Sequence, residues 1–215
     1  LVRYFDTNTD TTYTIPASVS YIADTAFAYC ESLKSVTIPE NVTYVGRYAF
    51  SHCSGLTTIA IPDSLTRFGI DAFYESNRLP PILFSTGGKT LVRYFDTNTD
   101  TAYSVPASVN YIAGAAFAYC ESLESVTVPE SVTGIGDFGF WECSALTNIS
   151  LPDTITDFGI DAFFGCNQLP PILFSTGGKI LFCYSHLNTD TNYSLPEGVA
   201  TIADGAFAYC ESLTS

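Results

Sequence analysis

The chain has 215 residues, of which 47% are hydrophobic and 14% are charged, and its formal net charge at pH 7 is −14. This apolar content suffices for a continuous core and argues against a disordered chain. With 22 acidic side chains against 8 basic ones, the sequence lacks the clustered Lys and Arg that phosphate binding needs, so nucleic acid is not an expected partner.

The sequence repeats itself at an offset of ninety residues. The octapeptide AFAYCESL occurs at 26–33, 116–123 and 206–213. Such self-similarity predicts stacked units that share one core. We therefore expect a single leucine-rich repeat solenoid over 1–215, cut from a longer array because the sequence starts and stops within a repeat. Its super-repeats are 1–90, 91–180 and a partial 181–215.

Shorter units of 23 residues lie within each ninety, and the first predicted element of a unit is a strand. The pattern LxxΦxΦP, with Φ aliphatic, occurs at 33–39, 56–62, 123–129 and 146–152. Its period-two alternation predicts a short strand with one buried face. The proline ends this strand because it has no N–H for a further ladder bond, and a polar pair then turns the chain.

A second short extended run follows in each unit, as at 42–46 and 155–159. It ends on a small residue, which suits close approach between neighbouring coils. We predict that the Ala-Phe or Gly-Phe pair that comes next lies in a short helical turn and that its ring fills the centre of the coil. These rings are Phe27, Phe50, Phe73, Phe117, Phe140, Phe163 and Phe207.

The third unit of each ninety runs on into an extension. The segment FSTGGKT at 84–90 is not a phosphate-binding loop, because Leu83 stands where that loop needs glycine. The pairs Gly87-Gly88 and Gly177-Gly178 instead separate two apolar runs, which is a hairpin signal. The sequence therefore predicts hairpin-bearing turns over 84–104 and 174–194.

A cysteine follows three residues after the core phenylalanine in six units, and Ser76 takes the slot once. Disulfides between neighbouring coils and a zinc site are two interpretations of this ladder. The odd total of seven cysteines, which includes Cys183, and the lack of a CxxC pair or Cys/His cluster in the sequence favour a third. In this interpretation the thiols are small buried side chains that contact the backbone.

The combined pattern resembles the BspA-like leucine-rich repeat of bacterial and protist surface proteins. It is seen at 33–53 as LKSVTIPENVTYVGRYAFSHC, and the resemblance covers essentially the whole chain except the hairpin turns. The resemblance implies a right-handed, curved solenoid with a parallel β-sheet on one face, short strands and 3-10 turns on the other, and β-hairpin inserts. It also implies an extracellular or cell-surface location.

The solvent-facing positions of the predicted sheet are the candidate ligand-binding residues, because a rigid sheet presents side chains in fixed register. They are Lys34, Thr37, Thr57, Thr58, Glu124, Thr127, Thr147 and Asn148. Aromatic side chains beside the core rings form either a second contact strip or, as we favour, the filling of the coil edge. These aromatics are Tyr29, Tyr74, Tyr119, Trp141, Phe164 and Tyr209.

Two further motifs point to a metal site and to glycosylation. The repeated DxNxD spacing matches the start of a calcium-binding loop, but the glycine and the glutamate that complete such a loop are missing. The alternative is a loop whose side chains cap its own backbone. The candidate ligands are Asp6, Asn8, Asp10, Asp96, Asn98 and Asp100. The sequons at Asn41, Asn148 and Asn192 are either glycan acceptors, if secretion is of the eukaryotic type, or chance matches.

No catalytic residues are predicted, because the two histidines, His52 and His186, come with no nucleophile motif. We expect a non-enzymatic, adhesin-type module that binds proteins or glycans on other cells or in the extracellular matrix through the solenoid surface. It needs no cofactor, and no run in the sequence is apolar and long enough for membrane insertion. The alternative is a structural repeat protein that self-associates into an extracellular filament or surface layer.

Overall fold

The chain forms a β-solenoid of about eight turns in the computed structural model, which describes Tyr4 and residues 11–95, 97–185 and 187–214. Short strands, and no helix, make up the regular structure of these residues. The strands are β1 (Thr12–Thr14), β2 (Tyr21–Ile22), β3 (Ser35–Thr37), β4 (Tyr44–Val45), β5 (Thr58–Ala60), β6 (Ile82–Phe84), β7 (Thr90–Tyr94), β8 (Ala102–Ser104), β9 (Tyr111–Ile112), β10 (Ser125–Thr127), β11 (Gly134–Ile135), β12 (Asn148–Ser150), β13 (Asp157–Phe158), β14 (Ile172–Phe174), β15 (Ile180–Tyr184) and β16 (Thr201–Ile202).

The front face consists of the strands that the LxxΦxΦP pattern predicts. It is divided into two parallel sheets, β1-β3-β5 and β8-β10-β12. Each residue pairs with the residue one unit later in the chain, as Ser35 does with Thr58 and Ser125 with Asn148. The central residue of each strand points into the core, as Val36 and Val126 do, while its neighbours are less buried. The predicted strands and their buried face are therefore confirmed.

The back face carries the second strand of each coil and the two hairpins. Its sheets have the orders β2-β4, β13-β11-β9-β7-β6 and β14-β15-β16. Strands β6 and β7 are antiparallel, and β7 also pairs in parallel with β9. The hairpin turns at Gly88 and Gly178 have φ values of 69° and 72°, which glycine adopts without strain. The predicted hairpins are present, but β7 doubles as a strand of the solenoid.

The hairpins also explain why the front face is divided. One unit after β5, the chain reaches β6, which pairs with β7 instead of extending the front sheet. The N–H and hydroxyl groups of Thr86 both donate to the carbonyl of Ile61, at 2.7 and 3.0 Å, and so hold the hairpin against the preceding coil. A new front sheet then begins at β8.

The Ala-Phe segments form a third side of the coil, which we call the turn edge. It comprises residues 23–30, 46–53, 69–76, 113–120, 136–143, 159–166 and 203–210. The predicted helical turn here is wrong. Thr25 and Tyr29 have φ values of 56° and 63°, in the left-handed region, so the segment is a series of tight turns. One of them is closed by the N–H of Ala26, which donates to the carbonyl of Ala23 at 3.2 Å.

The phenylalanine rings of the turn edge are buried in the coil centres, as predicted, except Phe207, which is half-buried. Phe27 and Phe50 stack with centroids 4.7 Å apart, and Phe117 and Phe140 stack at the same distance. The thiols beside them are also placed as predicted, because the Sγ of Cys143 donates to the carbonyl of Phe117 at 3.0 Å. The same contact recurs in Cys53, Cys120, Cys166 and Cys210, and the Ser76 hydroxyl makes it to Phe50.

Buried hydrophobic residues form two clusters that meet at β7. Leu91 and Tyr94 belong to the cluster that continues to Phe182, whereas Val92 and Phe95 belong to the cluster that begins at Ile15. The register of β6 on β7 shifts between Leu83 and Phe84, and such a bulge interrupts the strict alternation of side chains along a strand. Residues of the single strand β7 therefore contribute to both clusters.

Candidate functional surfaces

All eight candidate ligand-binding residues of the front face are exposed. Four of them lie on or beside the first front sheet, namely Lys34, Thr37, Thr57 and Thr58. The other four lie ninety residues later, at the equivalent places of the second front sheet. The hydroxyls of Thr57 and Thr147 donate to the carbonyls of Lys34 and Glu124, both at 3.1 Å. These two threonines therefore stabilise the coil as well as face solvent, while their lone pairs stay available to a ligand.

A groove on the back face lies where the two complete super-repeats meet. Its volume is about 750 Å³, and tyrosine and charged side chains line it. The hydroxyl of Tyr111 donates to the Oδ2 of Asp157 at 2.9 Å. Tyr21 and Tyr44 stack 5.4 Å apart, with the guanidinium of Arg67 5.9 Å from the Tyr44 ring. Burial and the bond to Asp157 raise the pKa of Tyr111.

The walls of this groove differ in charge because the duplicated halves differ there. Arg47 and Arg67 of the first super-repeat occupy the slots of Asp137 and Asp157 in the second, ninety residues later. All four line the groove and are exposed. Sequence reasoning missed this site, although comparison of the two copies position by position would have shown the reversal of sign.

The turn edge exposes a strip of aromatic side chains. Tyr29 and Tyr209 are 64% and 61% exposed, so filling of the coil edge does not account for them. Trp141 and Phe164 are half-buried and stack at 4.8 Å. Tyr29 stacks on His52 at 4.6 Å with the rings nearly parallel. The strip is thus exposed at its tyrosines and half-buried at Trp141 and Phe164.

Each hairpin turn is fixed by an aspartate of the preceding coil. The hydroxyl of Ser85 and the N–H of Gly87 both donate to Oδ1 of Asp63. These bonds, the Ser85 bond above all, lower the pKa of Asp63. In the second copy Asp153 has the same role and also pairs with Lys179 at 3.6 Å. The pairs Gly87-Gly88 and Gly177-Gly178 are therefore part of the hairpin turns.

The calcium and glycan candidates either lie outside the described residues or, except for the half-buried Asn98, are exposed. Asp6, Asn8, Asp10, Asp96 and His186 lie outside them; the N–H of Asn98 donates to Phe95 at 3.0 Å, and Asp100 is exposed. No group of three His, Cys, Asp or Glu among the described residues is placed to hold a metal ion. The sequon residues Asn41, Asn148 and Asn192 are all exposed, and the Asn41 amide donates to Val19 at 2.7 Å.

Comparisons with known proteins agree with this architecture. A family model described as the BspA type leucine rich repeat region matches residues 3–100 and 91–214, with six copies. A leucine rich cell surface protein of Faecalibacterium prausnitzii is 26% identical, with 95% of this chain and 78% of that chain covered and a TM-score of 0.51. A leucine-rich repeat protein of T. pallidum is 29% identical over 79% of this chain and 81% of that chain, with a TM-score of 0.48. No curated protein matches the sequence. Within the described ranges, the fold includes no apolar helix of membrane-spanning length.

Proposed function

Because this chain belongs to the BspA-type leucine-rich repeat family, we propose that it is a non-enzymatic, adhesin-type interaction module at the cell surface or outside the cell. It binds proteins or glycans of other cells or of the extracellular matrix through the front face. The neighbour from F. prausnitzii is described as a cell surface protein, which supports this location.

The observation that carries the proposal is the regular array of exposed side chains on the front face. Parallel pairing aligns Thr14 with Thr37 and Ser104 with Thr127, and all four are exposed. Neighbouring coils therefore repeat this exposed position at the ladder spacing of about 4.8 Å. Small and hydroxyl-bearing side chains in this register offer hydrogen bonds over a flat surface at low conformational cost. A large partner can contact many of them at once.

Binding to immobilised matrix proteins and to a glycan array tests the proposal. The variant Thr57→Ala/Thr58→Ala/Thr147→Ala is expected to weaken binding at least tenfold. Thr43→Ala is the matched control, because the Thr43 hydroxyl also donates to a carbonyl of the preceding coil, that of Ser20, but on the back face. Equal binding by the triple variant and the wild type would exclude the front face.

The charge reversal in the back-face groove favours a second candidate, self-association into a filament or layer. When Arg47 and Arg67 of one chain contact Asp137 and Asp157 of a second chain, the charges across the interface are complementary. Sedimentation should then detect association at low salt and its loss at about 1 M salt, where the screening length is about 3 Å. Arg47→Asp/Arg67→Asp should abolish association, and adding Asp137→Arg/Asp157→Arg should restore it. Monomers at low salt would refute this function.

A further inference from the structure

A pocket of about 520 Å³ opens on the turn edge at the junction of the two complete super-repeats. Its volume lies within the usual range of small-molecule sites. It is separate from both the front face and the back-face groove. Tyrosine rings, two carboxylates, an amide and a guanidinium line it.

Three tyrosines form the aromatic part of this pocket. Tyr48, Tyr74 and Tyr119 are 42%, 48% and 37% exposed. The rings of Tyr48 and Tyr74 are perpendicular, at 82°, with centroids 6.4 Å apart, so one presents its face where the other presents its edge. The arrangement offers a flat apolar ring face and several hydroxyls within a single pocket.

The polar groups of the pocket are held in place by the fold. The guanidinium of Arg93 donates to the carbonyl of Ala115 at 2.6 Å and lies 5.9 Å from the Phe95 ring. The charge of Asp71, and its hydrogen bond, raise the pKa of the Tyr48 hydroxyl. Asp71 and Glu75 have φ values of 56° and 57°. The same left-handed conformation recurs at the equivalent slots of other coils, as at Thr25 and Tyr29, so the turn edge fixes the backbone of both residues.

The equivalent junction of the second super-repeat provides an internal comparison. Ninety residues on, Tyr48, Tyr74, Glu75 and Arg93 are replaced by Phe138, Phe164, Gly165 and Cys183. The pocket there, which Phe164, Gly165 and Cys183 line, has only about 70 Å³. The same junction thus forms without these hydroxyl, carboxylate and guanidinium groups. Stability of the fold therefore does not explain why the first junction carries them.

We propose that this pocket binds a neutral carbohydrate of one to three sugar rings. The apolar C–H face of a pyranose packs on a tyrosine ring, as apolar groups do on aromatic faces. The hydroxyls of the sugar donate to Asp71 and Glu75 and pair with the amide of Asn77, which both donates and accepts. The pocket is lined by two carboxylates and only one guanidinium, which is already bonded to Ala115, so anionic sugars are disfavoured. The proposal deepens the proposed function by naming a ligand class, and it rests on that function only for the extracellular setting.

Saturation-transfer NMR and calorimetry with a panel of neutral oligosaccharides, together with sialylated and sulfated counterparts, test this site. We expect at least one neutral sugar to bind with a dissociation constant of about 1 mM or lower. Tyr48→Phe/Tyr74→Phe/Glu75→Gly should reduce its affinity at least tenfold. This variant copies the residues of the second junction, so it is expected to fold, and circular dichroism and the unfolding midpoint check that it does.

Matched controls separate this site from other surfaces. Tyr119→Phe should weaken binding of the neutral sugar several-fold, whereas Tyr209→Phe, the same change at the second junction, should leave it unchanged. The proposal is overturned if no neutral sugar binds, if the triple variant binds as the wild type does, or if anionic sugars are preferred. It is also overturned if affinity falls instead with Thr57→Ala/Thr58→Ala, and that result would support the front face of the proposed function.

Discussion

The slot that follows the back-face strand demands glycine where one coil lies directly against the previous one. A Cβ added to Gly136 would lie 2.6 Å from the backbone N and 2.9 Å from the Cα of Gly114. Ordinary van der Waals contact begins at 3.4 Å, so Gly136→Ala must move two backbones apart by about 0.8 Å. Backbone atoms cannot rotate away, and such overpacking costs about 1–3 kcal/mol.

Gly139→Ala is the matched control because it adds the same methyl group three residues later. Its Cβ would also come within 2.6 Å of an atom, but that atom is the Cγ2 of Ile135, a side chain. The first super-repeat carries Ala49 at this slot, so the coil accommodates the methyl group. Both changes restrict the unfolded chain equally, by about 0.4–1 kcal/mol. The difference between the variants therefore isolates the clash.

Urea unfolding followed by the fluorescence of Trp141, the single tryptophan, measures this difference. Gly136→Ala should lower the unfolding midpoint by about 0.5 M or more, and its melting temperature by about 2–10 °C. Gly139→Ala should remain within about 0.5 kcal/mol of the wild type. If Gly136→Ala were as stable as Gly139→Ala, close backbone approach would not be what selects glycine in this slot.

Four further predictions concern tyrosine hydroxyls and cysteine thiols. The Tyr94 hydroxyl is buried and has no partner among the described residues, whereas that of Tyr184 donates to Asp190 at 3.3 Å. Tyr94→Phe should therefore stabilise the fold and Tyr184→Phe destabilise it, each by about 1 kcal/mol in thermal unfolding; the opposite order would contradict the assignment. Burial raises the pKa of Tyr94 from 10.0 to about 12, so the wild type should lose stability as the pH rises from about 10 to 12, and Tyr94→Phe should lose less. Burial also raises the pKa of Cys183 from 9.0 to about 11, so iodoacetamide should modify it at pH 8 about a hundredfold more slowly than a free thiol; mass spectrometry that shows a free-thiol rate would refute this. Cys143→Ser should keep the bond to the preceding coil, and Cys143→Ala should be about 1 kcal/mol less stable than the serine variant in urea; equal midpoints would show that the bond does not contribute.

The elements that the sequence predicts correctly depend on local pattern. The alternation of apolar and polar residues predicts the front strands, and the glycine pairs predict the hairpin turns. The helical turn was wrong because bonds between coils outweigh local propensity. The N–H groups of Phe27 and Tyr29 donate to Ala49 and Ser51 of the next coil, at 2.7 and 2.9 Å. The segment combines these bonds with positive φ at two residues four apart, Thr25 and Tyr29, which a sequence of helix-compatible residues does not reveal.

The junction sites were not predictable in the same way because their residues are distant in the chain. Tyr48, Glu75, Arg93 and Tyr119 come from different units, and only the stacking of coils brings them into one pocket. Likewise, nothing in the spacing around β7 indicates that this strand pairs in two directions. A signal was nevertheless present, since the two near-identical copies differ at the slots that line these sites.

The shared strand β7 determines how such a protein can change its length during evolution. Duplication of a ninety-residue block adds a complete hairpin with it. Each new hydrophobic cluster is therefore again bordered by a hairpin strand. Deletion of a hairpin alone would remove the strand that lies between two hydrophobic clusters. The heritable module is therefore the whole block, and we expect homologous proteins to gain or lose turns in multiples of it.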